Sequence, residues 1–195
     1  RCKIICGGVL TAHKSIAMPG CSINNPTLTE ADLRNLAVAK QYKVTDVMLP
    51  FVRNKADLII LREALREYGC EDIRIFAKIE NMTGVEHLEE LIPYCDYIVI
   101  ARGDLGNAMP LSQLPRIQAH IARVCRKHNK DFVIVTQMLD SMIKNPYPTR
   151  AEVNDIYHAV TQGASALMLT GETAHGKYPV EAMKMLVDTA EESIL

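Results

Sequence analysis

Five short runs of aliphatic and β-branched residues recur along the chain, and they are continuous rather than alternating with polar residues. They cover residues 45–49, 73–79, 97–101, 132–136 and 166–169. Continuous apolar runs of this length are typical of parallel strands that are buried on both faces. The pattern therefore predicts five buried parallel strands.

The segments between these runs carry apolar residues at the spacing of amphipathic helices. The predicted helices cover residues 29–42, 55–68, a short stretch from 83 to 92, 112–128, a stretch from 149 that closes at 163, and a last one from 179. Three pairs have the spacing of a capping box and predict where a helix begins: Thr29 with Asp32, Thr83 with Glu86, and Thr149 with Glu152. Strand and helix alternate five times, which predicts a parallel sheet, either doubly wound or part of an eight-stranded barrel.

Composition narrows the classes of partner. The 195-residue chain has a formal net charge of −1, which gives no reason to expect a nucleic acid or a membrane, and favours a small neutral or anionic ligand. Its six cysteines are dispersed without a Cys-x-x-Cys pair, which predicts reduced thiols in a cytoplasmic protein. No Gly-x-Gly-x-x-Gly follows the first predicted strand, so a dinucleotide site is not predicted.

Polar residues follow every predicted strand. They are Arg53 after the first strand, Lys78, Glu80 and Asn81 at the second, Arg102, Gly103 and Asp104 after the third, Thr136 and Gln137 at the fourth, and the run 170–173 after the fifth. Ligands of parallel α/β folds bind beyond the carboxyl ends of the strands, so these groups are expected to face one site. Their burial without a ligand would leave unpaired charge, which favours a site over isolated salt bridges.

Three of these side chains predict a specific chemistry. Lys78 and Glu80 lie two residues apart, so they share one side of their strand and can address one ligand. Glu80 and Asp104 could each give an oxygen ligand to Mg²⁺, and Lys78 would then stand beside a transferring phosphoryl group or a developing enolate. The alternative for Lys78 and Glu80 is a plain salt bridge.

Five motifs together resemble those of pyruvate kinase, in that enzyme's order and at its spacing. They are residues 77–81 (AKIEN), 101–106 (ARGDLG), 136–142 (TQMLDSM), 148–152 (PTRAE) and 169–174 (LTGETA). The resemblance implies a TIM-type (β/α)8 barrel, of which this chain supplies about five βα units. It also implies phosphoryl transfer from phosphoenolpyruvate to ADP, which gives pyruvate and ATP, with Mg²⁺ (or Mn²⁺) and K⁺ as cofactors.

The resemblance assigns roles to the matching positions. Glu80 and Asp104 would hold the divalent metal, and Lys78 would stabilise the transferring phosphoryl group and the enolate. The backbone of Gly103 and Asp104, with the hydroxyl of Thr136, would bind the substrate carboxylate, and Thr136 lies where the enolate is protonated.

The resemblance also implies a domain organisation. Residues 1–20 match the end of a β-rich lid domain with its return linker, where Lys14 would contact a nucleotide phosphate, and residues 21–195 match the second part of the barrel. A homotetramer in the cytoplasm is expected. The family's usual residues are replaced at Ser15, Ala17 and Pro50, which leaves the lid hinge and the hydrogen bonding beside the site open.

The first three strands of the family's barrel, with a phosphate-binding arginine and most K⁺ ligands, have no counterpart in this sequence. The chain opens on Arg1 and stops inside a helical pattern at Leu195, so we interpret it as a piece of a larger protein that is inactive alone. Two alternatives stay open: a non-catalytic domain of the same descent, and a metal-dependent aldolase barrel that forms a pyruvate enolate.

Overall fold

The protein contains the five parallel strands that the hydrophobic pattern predicts. The structure is a computed structural model that describes residues 3–5, 7–9, 11–12 and 25–194. The strands are β1 (Asp46–Leu49), β2 (Arg74–Ile79), β3 (Tyr97–Ala101), β4 (Asp131–Val135) and β5 (Ala166–Met168). Each lies within one residue of its predicted bounds at either end.

Helices connect the strands and pack on one face of the sheet. They are α1 (Glu30–Ala39), α2 (Lys55–Glu67), α3 (Met82–Glu86), α4 (Leu88–Leu91), α5 (Arg102–Asn107), α6 (Leu114–Lys127), α7 (Arg150–Thr161), α8 (Gly171–Ala174) and α9 (Pro179–Glu192). Single 3₁₀ turns lie at Ile92–Tyr94, Leu111–Gln113 and Asp140–Ile143. In the described part of the chain, no helix is both long and apolar enough to cross a membrane.

Two of the three predicted capping boxes are formed. Thr29 caps α1 and Thr149 caps α7, each with reciprocal bonds to the acidic residue three positions later. The prediction for Thr83 is wrong, because Asn81 caps α3 by accepting a hydrogen bond from the backbone N–H of Gly84 at 2.8 Å. An amide oxygen two residues earlier satisfies the same free helix donors, so the helix begins before Thr83.

The strand order decides between the two predicted architectures. The sheet runs β1-β2-β3-β4-β5, so every strand lies beside its neighbours in sequence, and all four pairings are parallel. A doubly wound sheet reverses its strand order at a switch point, whereas a barrel keeps it sequential. The fold is therefore the barrel alternative, in the form of an open arc of five strands.

The two faces of the sheet differ. The helix-covered face holds the main core, with fully buried strand residues such as Ile79, Ile98 and Ile134. On the opposite face a small cluster forms from Val99, Ala101, Val133 and Val135, with Phe76, Tyr97 and Met168 packed against it. That second face corresponds to the interior of the barrel.

Three cysteines are buried free thiols in the described part of the chain: Cys70, Cys95 and Cys125. The other three of the six cysteines, for which reduced thiols are predicted, lie outside the described residues. Burial raises the pKa of Cys95 to about 11 and that of Cys125 to about 12. Both groups therefore stay protonated at neutral pH, where a neutral thiol is a poor nucleophile.

Candidate active site

The predicted site residues meet at one edge of the sheet. Lys78 lies near the end of β2 and Glu80 directly follows that strand, while Gly103 and Asp104 follow β3 and Thr136 follows β4. These three strands are adjacent and parallel, so their carboxyl ends lie side by side. Lys14, the predicted nucleotide contact, is outside the described residues.

Lys78 and Glu80 form a close ion pair on the barrel-interior side of β2. The Lys78 Nζ lies 2.6 Å from Glu80 Oε1, and the Glu80 side chain is only 1% exposed. Ile79 between them points into the main core, so the period of two along the strand places both charged groups on the other side. The salt-bridge alternative therefore describes a real contact, which involves one of the two oxygens of Glu80.

One oxygen of Glu80 faces the Lys78 ammonium. Oε1 has no hydrogen-bond partner among the described residues, and it lies 2.6 Å from the Lys78 Nζ in an ion pair. The ammonium offsets the burial of the carboxylate, and the remaining lone pairs of Oε1 leave room for a second cationic partner. A divalent metal ion is one such partner.

The other oxygen of Glu80 accepts a hydrogen bond from the turn after β1. The backbone N–H of Phe51 donates to Oε2 at 2.7 Å. Pro50, which stands where the family's usual serine is expected, has no N–H, so the bond comes from the next residue. The replacement at Pro50 therefore leaves the support of Glu80 intact.

Gly103 and Thr136 are in direct contact. A Cβ placed on Gly103 would lie 2.8 Å from the methyl carbon of Thr136, closer than side-chain carbons approach, so only glycine fits there. The backbone of Gly103 and the Thr136 side chain consequently border one small region. Asp104, the next residue, is exposed at the start of α5.

Thr136 is held in a conformation that non-glycine residues rarely adopt. Its φ is 80° and that of Gln137 is 55°, both in the left-handed region. The Arg102 guanidinium binds the carbonyl oxygen of Thr136 through Nε at 3.1 Å and through a terminal nitrogen at 2.8 Å, and that of Gln137 at 3.2 Å. Its other terminal nitrogen pairs with Asp155 at 2.6 Å. Arg102 thus fixes the strained backbone that positions Thr136.

Two of the five polar strand ends are structural, which corrects the expectation that all five face a ligand. Arg53 forms an ion pair at 2.6 Å with the buried Asp57, four residues later. Glu172 is 1% exposed and accepts hydrogen bonds from the backbone of Leu139 at 3.0 Å and of Thr170 at 2.8 Å. The charge of each is already compensated, so neither needs a ligand.

Glu172 makes the stability of the chain depend on pH. Burial raises the pKa of Glu172, but the hydrogen bonds from Leu139, from its own N–H and from Thr170 together outweigh burial and hold the pKa below its ordinary value. A lowered folded-state pKa means that this stabilisation is complete above the unfolded pKa of about 4.3 and is lost as the pH falls through the folded value.

We therefore expect Glu172→Gln to lower the free energy of unfolding by about 1.5–3 kcal/mol at neutral pH, because the amide cannot accept every bond the carboxylate accepts. The difference from the unmodified chain should shrink below about pH 4.5. Urea unfolding across this pH range measures it, with exposed Glu63→Gln as the matched control. A difference that stays constant with pH would contradict the role given to the carboxylate.

The carboxylates at this edge of the sheet suit a metal ion that takes its other ligands from water and substrate. Among the described residues no group of three or more His, Cys, Asp and Glu side chains could hold a metal by itself. Mg²⁺ commonly takes only one or two carboxylates and completes its octahedron with water and substrate oxygens. Buried Glu80 and exposed Asp104, which follow the neighbouring strands β2 and β3, provide two such carboxylates.

A sequential parallel sheet with a lysine, a buried glutamate and an aspartate at its carboxyl edge defines part of an α/β barrel, a class whose enzymes hold their active sites at that edge. The family model described as "pyruvate kinase, barrel domain" matches residues 1–183. The chain belongs to the pyruvate kinase family.

Curated relatives agree with this assignment. The chain is 40% identical over 192 residues to the pyruvate kinase of Clostridium acetobutylicum, covering 98% of the chain and 41% of that protein. It is 38% identical to the enzyme of Clostridium perfringens (98% and 40% covered) and 39% identical to that of Bacillus licheniformis (98% and 33% covered). The chain therefore spans about two fifths or less of the length of these relatives. The match gives no support to the aldolase alternative.

Proposed function

We propose that this chain supplies the second part of the catalytic barrel of a pyruvate kinase, which transfers a phosphoryl group from phosphoenolpyruvate to ADP and yields pyruvate and ATP. The observation that carries the proposal is the Lys78–Glu80 pair, in which a buried carboxylate lies against an ammonium at the carboxyl edge of the sheet. Phosphoryl transfer depends on positioning and charge neutralisation more than on a covalent nucleophile. A lysine and a metal-binding carboxylate meet that need.

Glu80 and Asp104 would hold Mg²⁺ or Mn²⁺, which neutralises the charge of phosphoryl and carboxylate oxygens when bound. Lys78 would place its ammonium against the transferring phosphoryl group and then against the enolate oxygen. Its side chain is 24% exposed, so it reaches the open side of the sheet while its stem is covered. The lysine ammonium is a compact charge on a flexible side chain, so it can contact first the phosphoryl group and then the enolate oxygen.

Gly103, Asp104 and Thr136 would bind the substrate carboxylate. The tight contact between Gly103 and the Thr136 methyl group supports this, because it brings a backbone N–H region and a hydroxyl to one place. The Thr136 hydroxyl would stand near the carbon of the enolate that accepts a proton.

The remaining features of the proposal follow from the family. Residues 1–20 would end the lid domain, with Lys14 on a nucleotide phosphate, and residues 21–195 would belong to the barrel. K⁺ would be the second cofactor, held mostly by residues that this sequence does not include. The working enzyme would be a homotetramer in the cytoplasm.

Five strands do not close an eight-stranded barrel, so we expect the 195-residue chain alone to form no pyruvate. The proposal is tested by a chimera in which the chain replaces the matching segment of the Clostridium acetobutylicum pyruvate kinase. The chimera should form pyruvate from phosphoenolpyruvate and ADP, measured by coupling to lactate dehydrogenase. A folded chimera of native assembly state that forms no pyruvate would contradict the proposal and favour a non-catalytic domain.

A further inference from the structure

The turn after β1 holds a phenylalanine in an unfavourable backbone conformation. Phe51 has a φ of 52°, in the left-handed region. Non-glycine residues adopt this conformation only at a cost in free energy, because the Cβ comes too close to the backbone. The Phe51 side chain is 57% exposed, so packing of its ring in the core does not explain the strain.

The left-handed turn attaches the end of β1 to the end of β2. The Phe51 N–H donates to Glu80 Oε2 at 2.7 Å, and the next N–H, that of Val52, donates to the carbonyl oxygen of Lys78 at 3.2 Å. The Val52 carbonyl accepts from the Asn81 side chain at 3.3 Å, and Val52 is fully buried. The turn therefore contacts the backbone or side chain of three of the four residues from 78 to 81.

The consequence for Glu80 is that its two oxygens have different environments. Oε2 accepts a hydrogen bond from the Phe51 N–H, whereas Oε1 has no hydrogen-bond partner within the described part of the chain and faces the Lys78 ammonium. A carboxylate that is free to rotate exchanges the positions of its two oxygens, whereas a carboxylate held by an N–H keeps each oxygen in its place. Groups that orient a metal ligand in this way typically contribute 10–100-fold to metal affinity.

We propose that Phe51 is a positioning residue of the site: its left-handed backbone directs an N–H at Glu80 Oε2 and so presents Oε1 to the divalent cation. The proposal rests on the proposed function, because it takes Glu80 as a metal ligand. It concerns the backbone of Phe51 and not its ring, and this distinction can be tested.

Three substitutions separate backbone from side chain. Phe51→Gly removes the ring and adopts a positive φ without strain, Phe51→Val disfavours a positive φ because Val is β-branched, and Phe51→Ala removes the ring with an intermediate preference. We expect the dissociation constant of Mn²⁺, measured by electron paramagnetic resonance on the chimera without substrates, to change less than about twofold for Phe51→Gly. It should rise about 10-fold or more for Phe51→Val, and by less for Phe51→Ala.

The melting temperature of each variant is measured beside its Mn²⁺ affinity. A Phe51→Val variant that melts lower but binds Mn²⁺ as tightly as the unmodified chimera would overturn the proposal, because the turn would then serve stability alone. Weaker binding by Phe51→Gly than by Phe51→Val would also overturn it, since the ring would be the active element.

The same experiments distinguish failure of this proposal from failure of the proposed function. A chimera that forms pyruvate but shows equal Mn²⁺ affinity in all three variants contradicts only the role of Phe51. A chimera that forms no pyruvate, yet loses Mn²⁺ affinity in Phe51→Val and keeps it in Phe51→Gly, contradicts only the function. A chimera that does not bind Mn²⁺ at all contradicts both.

Discussion

Lys78→Met is expected to lower the turnover number of the chimera by about a thousandfold or more, because fixed positive charge beside a transferring phosphoryl group commonly contributes that much. Methionine keeps much of the length and apolar stem of lysine and removes the ammonium that lies 2.6 Å from Glu80 Oε1. Mn²⁺ affinity should stay equal or become tighter, since the competing cation next to Oε1 is gone. Steady-state kinetics and a Mn²⁺ titration on the same preparation measure the two effects.

The matched control for this prediction is Lys43→Met. Lys43 is exposed and precedes β1, so it lies near the amino end of the sheet, away from the site. Its replacement should leave turnover unchanged. Retention of more than about a tenth of the turnover by Lys78→Met would show that Lys78 is only a structural partner of Glu80.

Arg102→Ala is expected to lower the free energy of unfolding of the chain by about 2–4 kcal/mol, since it removes a buried guanidinium that holds two backbone carbonyls and one carboxylate. The expected loss is smaller than for a fully buried ion pair, because Asp155, which would lose its partner, is 34% exposed and can be solvated by water. Urea unfolding of the chain measures the loss, with exposed Arg66→Ala as the control.

Arg102→Ala should also lower the turnover of the chimera, because the left-handed Thr136 would lose the group that holds its carbonyl oxygen. Arg102→Lys should keep the attraction to Asp155, but it lacks the forked guanidinium that reaches two carbonyl oxygens. Compared with Arg102→Ala, it should therefore regain more of the free energy of unfolding than of the turnover number. An equal gain in both quantities would contradict a positioning role for Arg102.

The parts of the fold that local sequence determines were predictable. Apolar runs placed β1 to β5 to within a residue at each end, and the capping boxes at Thr29 and Thr149 formed as their spacing predicts. The two-residue period of a strand also placed Lys78 and Glu80 on one side. Each of these features depends on residues within a few positions of one another.

The parts that depend on distant residues were not predictable. Arg102 reaches Asp155 across 53 positions, and the bond from Phe51 to Glu80 spans 29. No pattern in the sequence marks a left-handed Phe51 or Thr136, because neither is a glycine. Glu172 looked like a site group for the same reason, since its bond from Leu139 spans 33 positions. Arg53 is different, because its partner Asp57 lies only four residues later and the pair could have been proposed from the sequence.

The most direct test of the central claim is the binding of Mn²⁺ to the chimera with and without phosphoenolpyruvate. A working site should bind Mn²⁺ at least about 10-fold more tightly when the substrate supplies oxygen ligands, since this class of ion shares its shell with substrate. Glu80→Gln should abolish that dependence, because the amide removes the buried negative charge that would bind the metal ion beside Lys78. Two results on a correctly assembled chimera would contradict the claim that Glu80 is part of a phosphotransferase site. One is a Mn²⁺ affinity that does not change when phosphoenolpyruvate is added, and the other is a change that persists in Glu80→Gln.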